Sequence, residues 1–334
     1  MTGKLRFNTI LIFISIFIFG CKRNNTKSSQ DSFYDTLVSS KAQNPDEYRN
    51  VPDPDDFFKT RIGLQLIDTL ESRYTKNFIA FEKEVEASHA KLYVCYITPE
   101  VGFSLTRCES EEKPFIKDLC EKQHVPFVDF TDVIANRRGI TFMPIDGHFN
   151  KRGAMLVANK FSLLIDSNKD YRSDVTYPAS SIPALLGDED PGIDKIVEDK
   201  QGLPYKLVTN KQGLRMDGLV ELPKKKQHVL LMGDSEIYGA GVDNPETITG
   251  VLQKRHPDKT IINAAKWAYT IDDELSQWKE RTKYQEPDIV ILEINGVNIT
   301  NLYFSQKIRF HRLGDEKIFK PTPLEKEFYN LRFN

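Results

Sequence analysis

Ser235 is the residue best placed for chemistry in this sequence. It closes the stretch LLMGDS at residues 230–235, in which an apolar run stops at Gly233. In an open α/β sheet, ligands bind outside the carboxyl ends of the strands. A serine there can expose its hydroxyl as a nucleophile, and the N–H groups of the following turn can face a developing oxyanion. The alternative is that Ser235 only caps the start of a helix.

A nucleophilic serine needs a base, because its hydroxyl is a poor nucleophile on its own. Among six histidines, His148 follows the strand-like run VPFVDF in a turn-rich loop and precedes a helix. Asp146, two residues away, could hold the imidazole in the useful tautomer, as the third member of a triad does. The alternative is that His148 is a structural loop residue. The other histidines lie in charged surroundings or at the start of a predicted strand: His89, His124, His228, His256 and His311.

Helices and strands alternate along residues 61–166 and again along 227–295. Apolar residues three and four apart predict amphipathic helices, and short continuous apolar runs predict strands buried on both faces. We therefore expect an α/β fold with a doubly wound, mainly parallel sheet of about five strands drawn from both halves of the chain. The predicted helices are 61–87, 112–124, 150–166, 244–257 and 271–285, and the predicted strands are 91–100, 125–130, 259–265 and 287–295, with a strand and turn at 228–235.

Residues 167–227 interrupt this alternation. Asp, Pro, Gly and Ser are frequent there, and the segment GDEDPG has the composition of turns. We interpret the stretch as an irregular insertion with a small hairpin, inside a single domain that spans residues 51–334.

The N-terminus has the pattern of an export signal. Basic residues precede an apolar stretch from Phe7 to Phe19, which ends just before Cys21. This arrangement is typical of a secretory signal peptide at residues 1–20, and a cysteine at this place resembles the lipobox of bacterial lipoproteins. The resemblance implies that Cys21 is lipidated and that residues 21–50 tether the domain to a membrane outside the cytoplasm, in the periplasm, at the outer membrane or on the cell surface. The alternative is an uncleaved anchor.

The cysteines and the net charge limit which disulfide, cofactors and further partners are expected. Export permits a disulfide, and Cys108 with Cys120 is the predicted pair, because Cys95 lies in a strand-like run. No two cysteines are spaced like a metal site, and chemistry by serine, histidine and aspartate implies neither a metal nor an organic cofactor. The formal net charge is −2, without the basic excess that nucleic-acid binding needs, so no nucleic-acid partner is expected.

Four segments resemble the sequence blocks of the SGNH (GDSL-type) hydrolases, which have a flavodoxin-like fold. LLMGDSEIYGAGV resembles the first block and DGHFNKRGAMLVAN the last, while IINAAKWAYTIDDEL and PDIVILEINGVN occupy the places of the two middle blocks. In an ordinary member the serine comes first and the Asp/His pair near the end. Here the pair precedes Ser235, an order similar to that of the alginate O-acetyltransferase group, which implies a circular permutation of the fold. The resemblance covers about residues 60–165 and 200–300.

The resemblance implies a role for each matching residue. Ser235 would be the nucleophile, His148 the general base and Asp146 its orienting carboxylate. The oxyanion hole would consist of the N–H of Ser235, the backbone N–H of Ala268 and the side chain of Asn298.

Two of the oxyanion-hole positions depart from the family pattern. Ala268 stands where the family has a glycine, and Asn298 falls into place only if its loop is shifted by one residue. Losing one oxyanion-hole donor typically lowers the rate about a hundred- to a thousandfold. A donor from elsewhere, such as Asn295, is the alternative.

These features predict a serine esterase that removes short acyl groups, acetyl above all, from a carbohydrate or similar ester through an acyl-serine intermediate. Its partners would be the membrane, through the lipid anchor, and an acylated glycan or other small ester. One alternative is an O-acetyltransferase that passes the acyl group to a polysaccharide. Another is a scaffold or binding lipoprotein on a decayed hydrolase fold, because fold alone does not establish function.

Overall fold

A parallel β-sheet with helices on both faces forms the centre of the structure. The computed structural model describes residues 61–97, 112–134, 141–143, 148–198, 204–267, 269–295 and 302, all within one unit, Pro52–Tyr329. The strands are β1 (Lys91–Ile97), β2 (Phe127–Asp129), β3 (Asp194–Glu198), β4 (Pro204–Val208), β5 (Gln227–Met232), β6 (Lys259–Asn263) and β7 (Ile289–Asn295). The helices are α1 (Arg61–Ala87), α2 (Lys113–Lys122), α3 (Thr131–Ile134), α4 (Lys151–Asp166), α5 (Ser235–Tyr238), α6 (Ile248–Arg255) and α7 (Ile271–Glu280).

The central sheet draws its strands from both halves of the chain. Its order is β2-β1-β7-β5-β6, and every neighbouring pair is parallel. β1 pairs with β7 along its whole length, from Lys91 opposite Ile289 to Ile97 opposite Asn295. β5 and β7 are buried at every position, which explains why each is a nearly continuous apolar run in the sequence.

Helices cover both faces of this sheet. On one face lie α1, α2 and α7, where Phe81 meets Trp278 edge-on with ring centroids 5.7 Å apart. On the other face lie α4 and α6, whose Phe161 and Leu252 share one buried cluster. Burying an apolar side chain of this kind contributes about 1.5–3 kcal/mol. The predicted α/β fold with a doubly wound, five-stranded parallel sheet is confirmed.

Residues 167–227 contain the predicted hairpin, in which β3 and β4 pair antiparallel. The irregular parts of the insertion are tied to the sheet by hydrogen bonds. Asp288, fully buried just before β7, accepts from the backbone N–H of Ser173 and from Lys224 Nζ, each at 2.7 Å. The insertion is therefore attached to the edge of the sheet just before β7.

Two helices are shorter than the sequence pattern predicts. Residues 244–257 begin with a 3-10 turn at Asn244–Glu246, and α6 starts after Thr247, whose hydroxyl accepts from Gly250 N at 2.9 Å. α7 is likewise followed by a separate 3-10 turn, Thr282–Gln285. An N-cap threonine satisfies a backbone donor at the first turn and so fixes where a helix begins.

The side chain of Cys120 is fully buried, and burial raises the pKa of its thiol to about 12. Its predicted partner Cys108 lies outside the described residues, so the disulfide stays a prediction. The predicted signal peptide at residues 1–20, Cys21 and the tether at residues 21–50 also lie outside them. None of the helices in the described part of the chain has the length and apolar character that a membrane span requires.

Candidate active site

Ser235 lies directly after β5, at the carboxyl edge of the sheet. Gly233 turns the chain there with a φ of 145°, and a Cβ on it would lie 2.5 Å from Glu293 Oε2. Only glycine therefore allows the turn to approach β7 this closely. Ser235 is the first residue of α5, where backbone N–H groups have no partner within the helix. Gly239 ends that helix in the left-handed region, with a φ of 86°.

His148 lies within hydrogen-bond distance of Ser235. Its Nε2 atom is 2.9 Å from Ser235 Oγ, although the two residues are 87 positions apart in the chain. A general base needs this distance to take the hydroxyl proton. The structure thus brings together two of the three residues of the predicted triad. The third, Asp146, lies outside the described residues, and its role stays a prediction.

Backbone hydrogen bonds fix the segment that carries His148. Met143 N donates to His148 O at 2.9 Å, and Asn150 N donates to Thr141 O at 3.0 Å. Asn150 then caps α4, because its Oδ1 accepts from Gly153 N at 3.1 Å. A Cβ on Gly153 would lie 2.2 Å from Thr141 O, so glycine is required for this close approach. His148 is therefore held just before the start of α4, a helix that packs on the sheet.

Glu236 connects the serine turn to the histidine segment. Its Oε2 accepts from Phe149 N at 3.3 Å, and its own backbone N–H donates to Asp234 Oδ1 at 3.2 Å. The side chain is buried. Glu236 follows Ser235 in sequence and accepts a hydrogen bond from the residue that follows His148, so it links the two segments.

Buried acidic groups lie beneath the serine turn. Glu293 of β7 accepts from Asp234 N at 3.1 Å, and Asn295 donates its side-chain amide to Asp234 Oδ2. Burial raises the pKa of Glu293 well above its usual range, and the neighbouring Asp234 raises it further. Because burial disfavours the charged form, the Glu293 carboxyl stays protonated to a higher pH than the carboxyl of an exposed glutamate does. Asn295, the alternative oxyanion-hole donor of the sequence analysis, thus donates one amide hydrogen to Asp234, below the serine turn.

An exposed indole borders the histidine. The ring of Trp267 has its centroid 5.4 Å from that of His148 and 6.0 Å from that of Tyr238. The side chain of Trp267 is 43% exposed. The largest of all side chains therefore lies beside His148 with much of its surface open.

The insertion holds the loop that carries Trp267. Tyr269 donates its hydroxyl to Asp188 Oδ2 at 2.6 Å, and Lys266 donates its ammonium to the carbonyl oxygen of Asp188. Arg281 Nη1 pairs with the same carboxylate at 2.8 Å. Residues on both sides of Trp267 are thus fixed to one aspartate.

A second residue of the insertion, Arg215, holds the segment that leaves α5. Its Nη1 donates to Tyr238 O at 2.7 Å and to Gly239 O at 2.8 Å, and its Nη2 donates to Val242 O at 2.6 Å. The guanidinium carbon lies 4.7 Å from the Tyr238 ring centroid. Because Arg215 is itself fully buried, these hydrogen bonds replace the water it has lost and lock the chain after the serine turn.

The predicted oxyanion hole is described only in part. Ser235 lies at the start of α5, whereas Ala268 and Asn298 lie outside the described residues, and their roles stay predictions. Within the described ranges, no group of three or more His, Cys, Asp or Glu side chains is arranged to hold a metal ion.

Sequence reasoning missed four residues that shape this site: Glu236, Trp267, Asp188 and Arg215. Glu236 and Trp267 lie inside the first and second of the four sequence blocks, so their position was a usable signal. Asp188 and Arg215 lie in the irregular insertion, where no local pattern distinguishes them from ordinary loop residues.

No protein-family model and no curated protein sequence matches this chain significantly. Among solved structures, the O-acetyltransferase domain of Pseudomonas putida AlgJ is similar with 13% identity, over 73% of this chain and 88% of that one, at a TM-score of 0.47. Bacillus cereus PatB1 with a sulfonyl adduct has 10% identity over 69% of this chain and 91% of that one, at 0.37. A second structure of PatB1 has 9% identity over 70% and 90%, also at 0.37. At these identities the likeness concerns the chain fold alone.

Proposed function

We propose that this protein is a serine esterase that hydrolyses short-acyl esters, acetyl esters above all, of a carbohydrate or similar substrate. One observation carries the proposal: His148 Nε2 lies 2.9 Å from Ser235 Oγ at the carboxyl edge of a parallel sheet. That pair can activate a hydroxyl for attack on an ester.

The reaction follows from the atoms that meet there. Ser235 Oγ attacks the acyl carbon while His148 Nε2 takes the hydroxyl proton, and the same proton then passes to the departing alcohol oxygen. The acyl group is now an ester of Ser235. Water attacks this ester, gives its proton to His148, and the proton returns to Ser235 Oγ as the carboxylic acid leaves.

An O-acetyltransferase is the second candidate, in which a sugar hydroxyl takes the place of water in the second step. The exposed Trp267 beside His148 favours it, because this surface could hold an acceptor next to the acyl-serine. The two activities share the first half-reaction and differ only in what attacks the acyl-enzyme.

We further propose that the protein is exported and anchored to a membrane by lipid on Cys21, as the N-terminal pattern indicates. A Cys21→Ser variant is expected to lose its lipid and leave the membrane fraction. Equal membrane retention of the wild type and this variant would contradict the anchor.

The test of catalysis compares p-nitrophenyl acetate turnover by the full-length protein and its variants. Ser235→Ala and His148→Ala are each expected to fall to the background rate while keeping wild-type circular dichroism. Ser167→Ala, at an exposed serine after α4, is the matched control and should retain activity. Activity in Ser235→Ala equal to the wild type would overturn the assignment. If the wild type itself shows only background turnover and no acyl-serine by mass spectrometry, the scaffold hypothesis replaces it.

A further inference from the structure

We propose that the exposed face of Trp267 is the platform on which a sugar ring of the substrate stacks, so that its ester or hydroxyl group reaches Ser235. This inference rests on the proposed function, which it extends from the reacting atoms to the recognition of the substrate.

The exposure of Trp267 is the first observation. The chain has two tryptophans, and the other, Trp278, is fully buried against Phe81 in the core. Trp267 instead leaves 43% of its surface open. Aromatic side chains of this size are enriched where a protein contacts a ligand, because they offer a large apolar face.

The position of the indole is the second observation. His148 contacts the Trp267 ring at 5.4 Å between centroids, and its Nε2 lies 2.9 Å from Ser235 Oγ. One imidazole thus separates the open indole from the nucleophile. A ring bound on the indole therefore lies beside the atom that carries the acyl group.

The attachment of the residues on either side of Trp267 is the third observation. Tyr269 and Lys266 are both bonded to Asp188, and Lys266 N also donates to Gly233 O at 3.2 Å. The loop with Trp267 is therefore attached to the serine turn itself as well as to the insertion. A platform held in place before binding loses less entropy when the ligand arrives.

The polar groups around the loop indicate the chemistry of the ligand. Lys266 Nζ lies 3.7 Å from Glu189 Oε1, and Asp188 and the Tyr269 hydroxyl lie in the same cluster. An acyl chain would need an enclosed apolar pocket. A pyranose ring has one apolar face of C–H groups and a polar rim of hydroxyls, which matches an exposed indole whose sequence neighbours, Lys266 and Tyr269, belong to a polar cluster.

The first experiment locates the ligand by fluorescence. The Ser235→Ala full-length protein is titrated with β-linked tetrasaccharides of glucose, galactose, mannose and N-acetylglucosamine, each with and without O-acetyl groups. A shift in tryptophan emission is expected in Ser235→Ala but not in Ser235→Ala with Trp267→Phe, which retains only the buried Trp278. A response to the acetylated sugars identifies the acyl donor, and a response to the unacetylated sugars identifies an acceptor.

The second experiment measures what the platform contributes. We compare kcat/KM for an O-acetylated tetrasaccharide with kcat/KM for vinyl acetate, which has no ring. Trp267→Ala is expected to lower the ratio of the two about tenfold, the size of one aromatic contact, and Trp267→Phe should lower it less. Leu219→Ala removes an exposed apolar residue at the cavity near the amino ends of β5 and β6 and should leave the ratio unchanged.

The outcomes separate this inference from the proposed function. Absence of any Trp267-dependent emission shift across the panel would overturn the platform, as would an equal loss on both substrates, which would mean that Trp267 only supports His148. Turnover of vinyl acetate with an unchanged ratio keeps the esterase and removes the platform. A Trp267-dependent shift in a protein that cleaves neither ester keeps the platform and removes the esterase.

Discussion

Replacing Glu293 with glutamine is expected to stabilise the protein at neutral pH and above, with little effect in acid. Glu293 lies in β7, the central strand, where it is almost fully buried and accepts from Asp234 N at 3.1 Å. Glutamine has nearly the same shape, and its amide oxygen can accept the same hydrogen bond. The substitution therefore removes the titration of this group while preserving its packing.

The expected magnitude follows from proton linkage. Burial, and then the charge of Asp234, raise the pKa of Glu293 in the folded chain well above its ordinary value of 4.5. Between the unfolded and the folded pKa, the folded state holds a proton that the unfolded state has released. As the pH rises through this window, the group lowers the free energy of unfolding by about 1.4 kcal/mol per pH unit. Below the window its contribution is fully retained.

The assay is urea unfolding of the wild type and Glu293→Gln between about pH 5 and pH 8. The stability difference should grow in favour of the variant by about 1.4 kcal/mol per pH unit until the folded pKa is passed. Glu121→Gln, at an exposed carboxyl on α2, is the matched control for replacing a glutamate by glutamine at the surface. Parallel stability curves for the wild type and Glu293→Gln would refute the reasoning, because they would mean that Glu293 is already ionised in the folded chain.

Three further predictions concern other buried groups among the described residues. Glu236→Ala should lower kcat for p-nitrophenyl acetate about tenfold or more, since leaving a buried hydrogen-bond donor without its partner costs about 1–3 kcal/mol. Glu236→Gln should recover most of the loss, and equal losses would argue against a positioning role. Arg215→Met should lower the free energy of unfolding by about 3–5 kcal/mol in urea titrations, because it leaves buried carbonyl oxygens without their donor. A change below about 1 kcal/mol would mean that these hydrogen bonds do not hold the segment after α5. Burial raises the pKa of both Cys95 and Cys120, so both should resist iodoacetamide until the chain unfolds. Peptide mapping after unfolding without reductant would leave Cys120 unlabelled if it formed a disulfide.

The longer helices and the strands of the central sheet could be predicted because each has a local signature. α1 shows helical spacing over its whole length, and β5 has no charged residue in its buried interior. The order of the strands has no such signature. β1 pairs with β7, with Lys91 opposite Ile289 and Ile97 opposite Asn295. Contacts between residues so far apart in the chain leave no trace in a local sequence pattern.

The site could be predicted where position along a strand carried the information. Ser235 follows a buried strand and His148 precedes a helix. The end of that strand and the start of that helix meet at the carboxyl edge of the sheet. Glu293 could not be interpreted in the same way, because a glutamate within an apolar strand looks like an interruption. Its role depends on Asp234 N, which reaches it only once β5 and β7 are paired.

The insertion at residues 167–227 shows that the composition of an irregular segment does not reveal which contacts its side chains make. Glycine, proline and aspartate indicate that a backbone is not helical or extended, and say nothing of what its side chains contact. Asp188 binds Lys266 and Tyr269, about eighty residues further along, and Arg215 binds carbonyl oxygens more than twenty residues away. Each of these contacts has a backbone oxygen or a hydroxyl on one side, and such groups carry no complementary pattern in sequence. A segment that looks like a loop therefore fixes both the turn that follows Ser235 and the loop that presents Trp267.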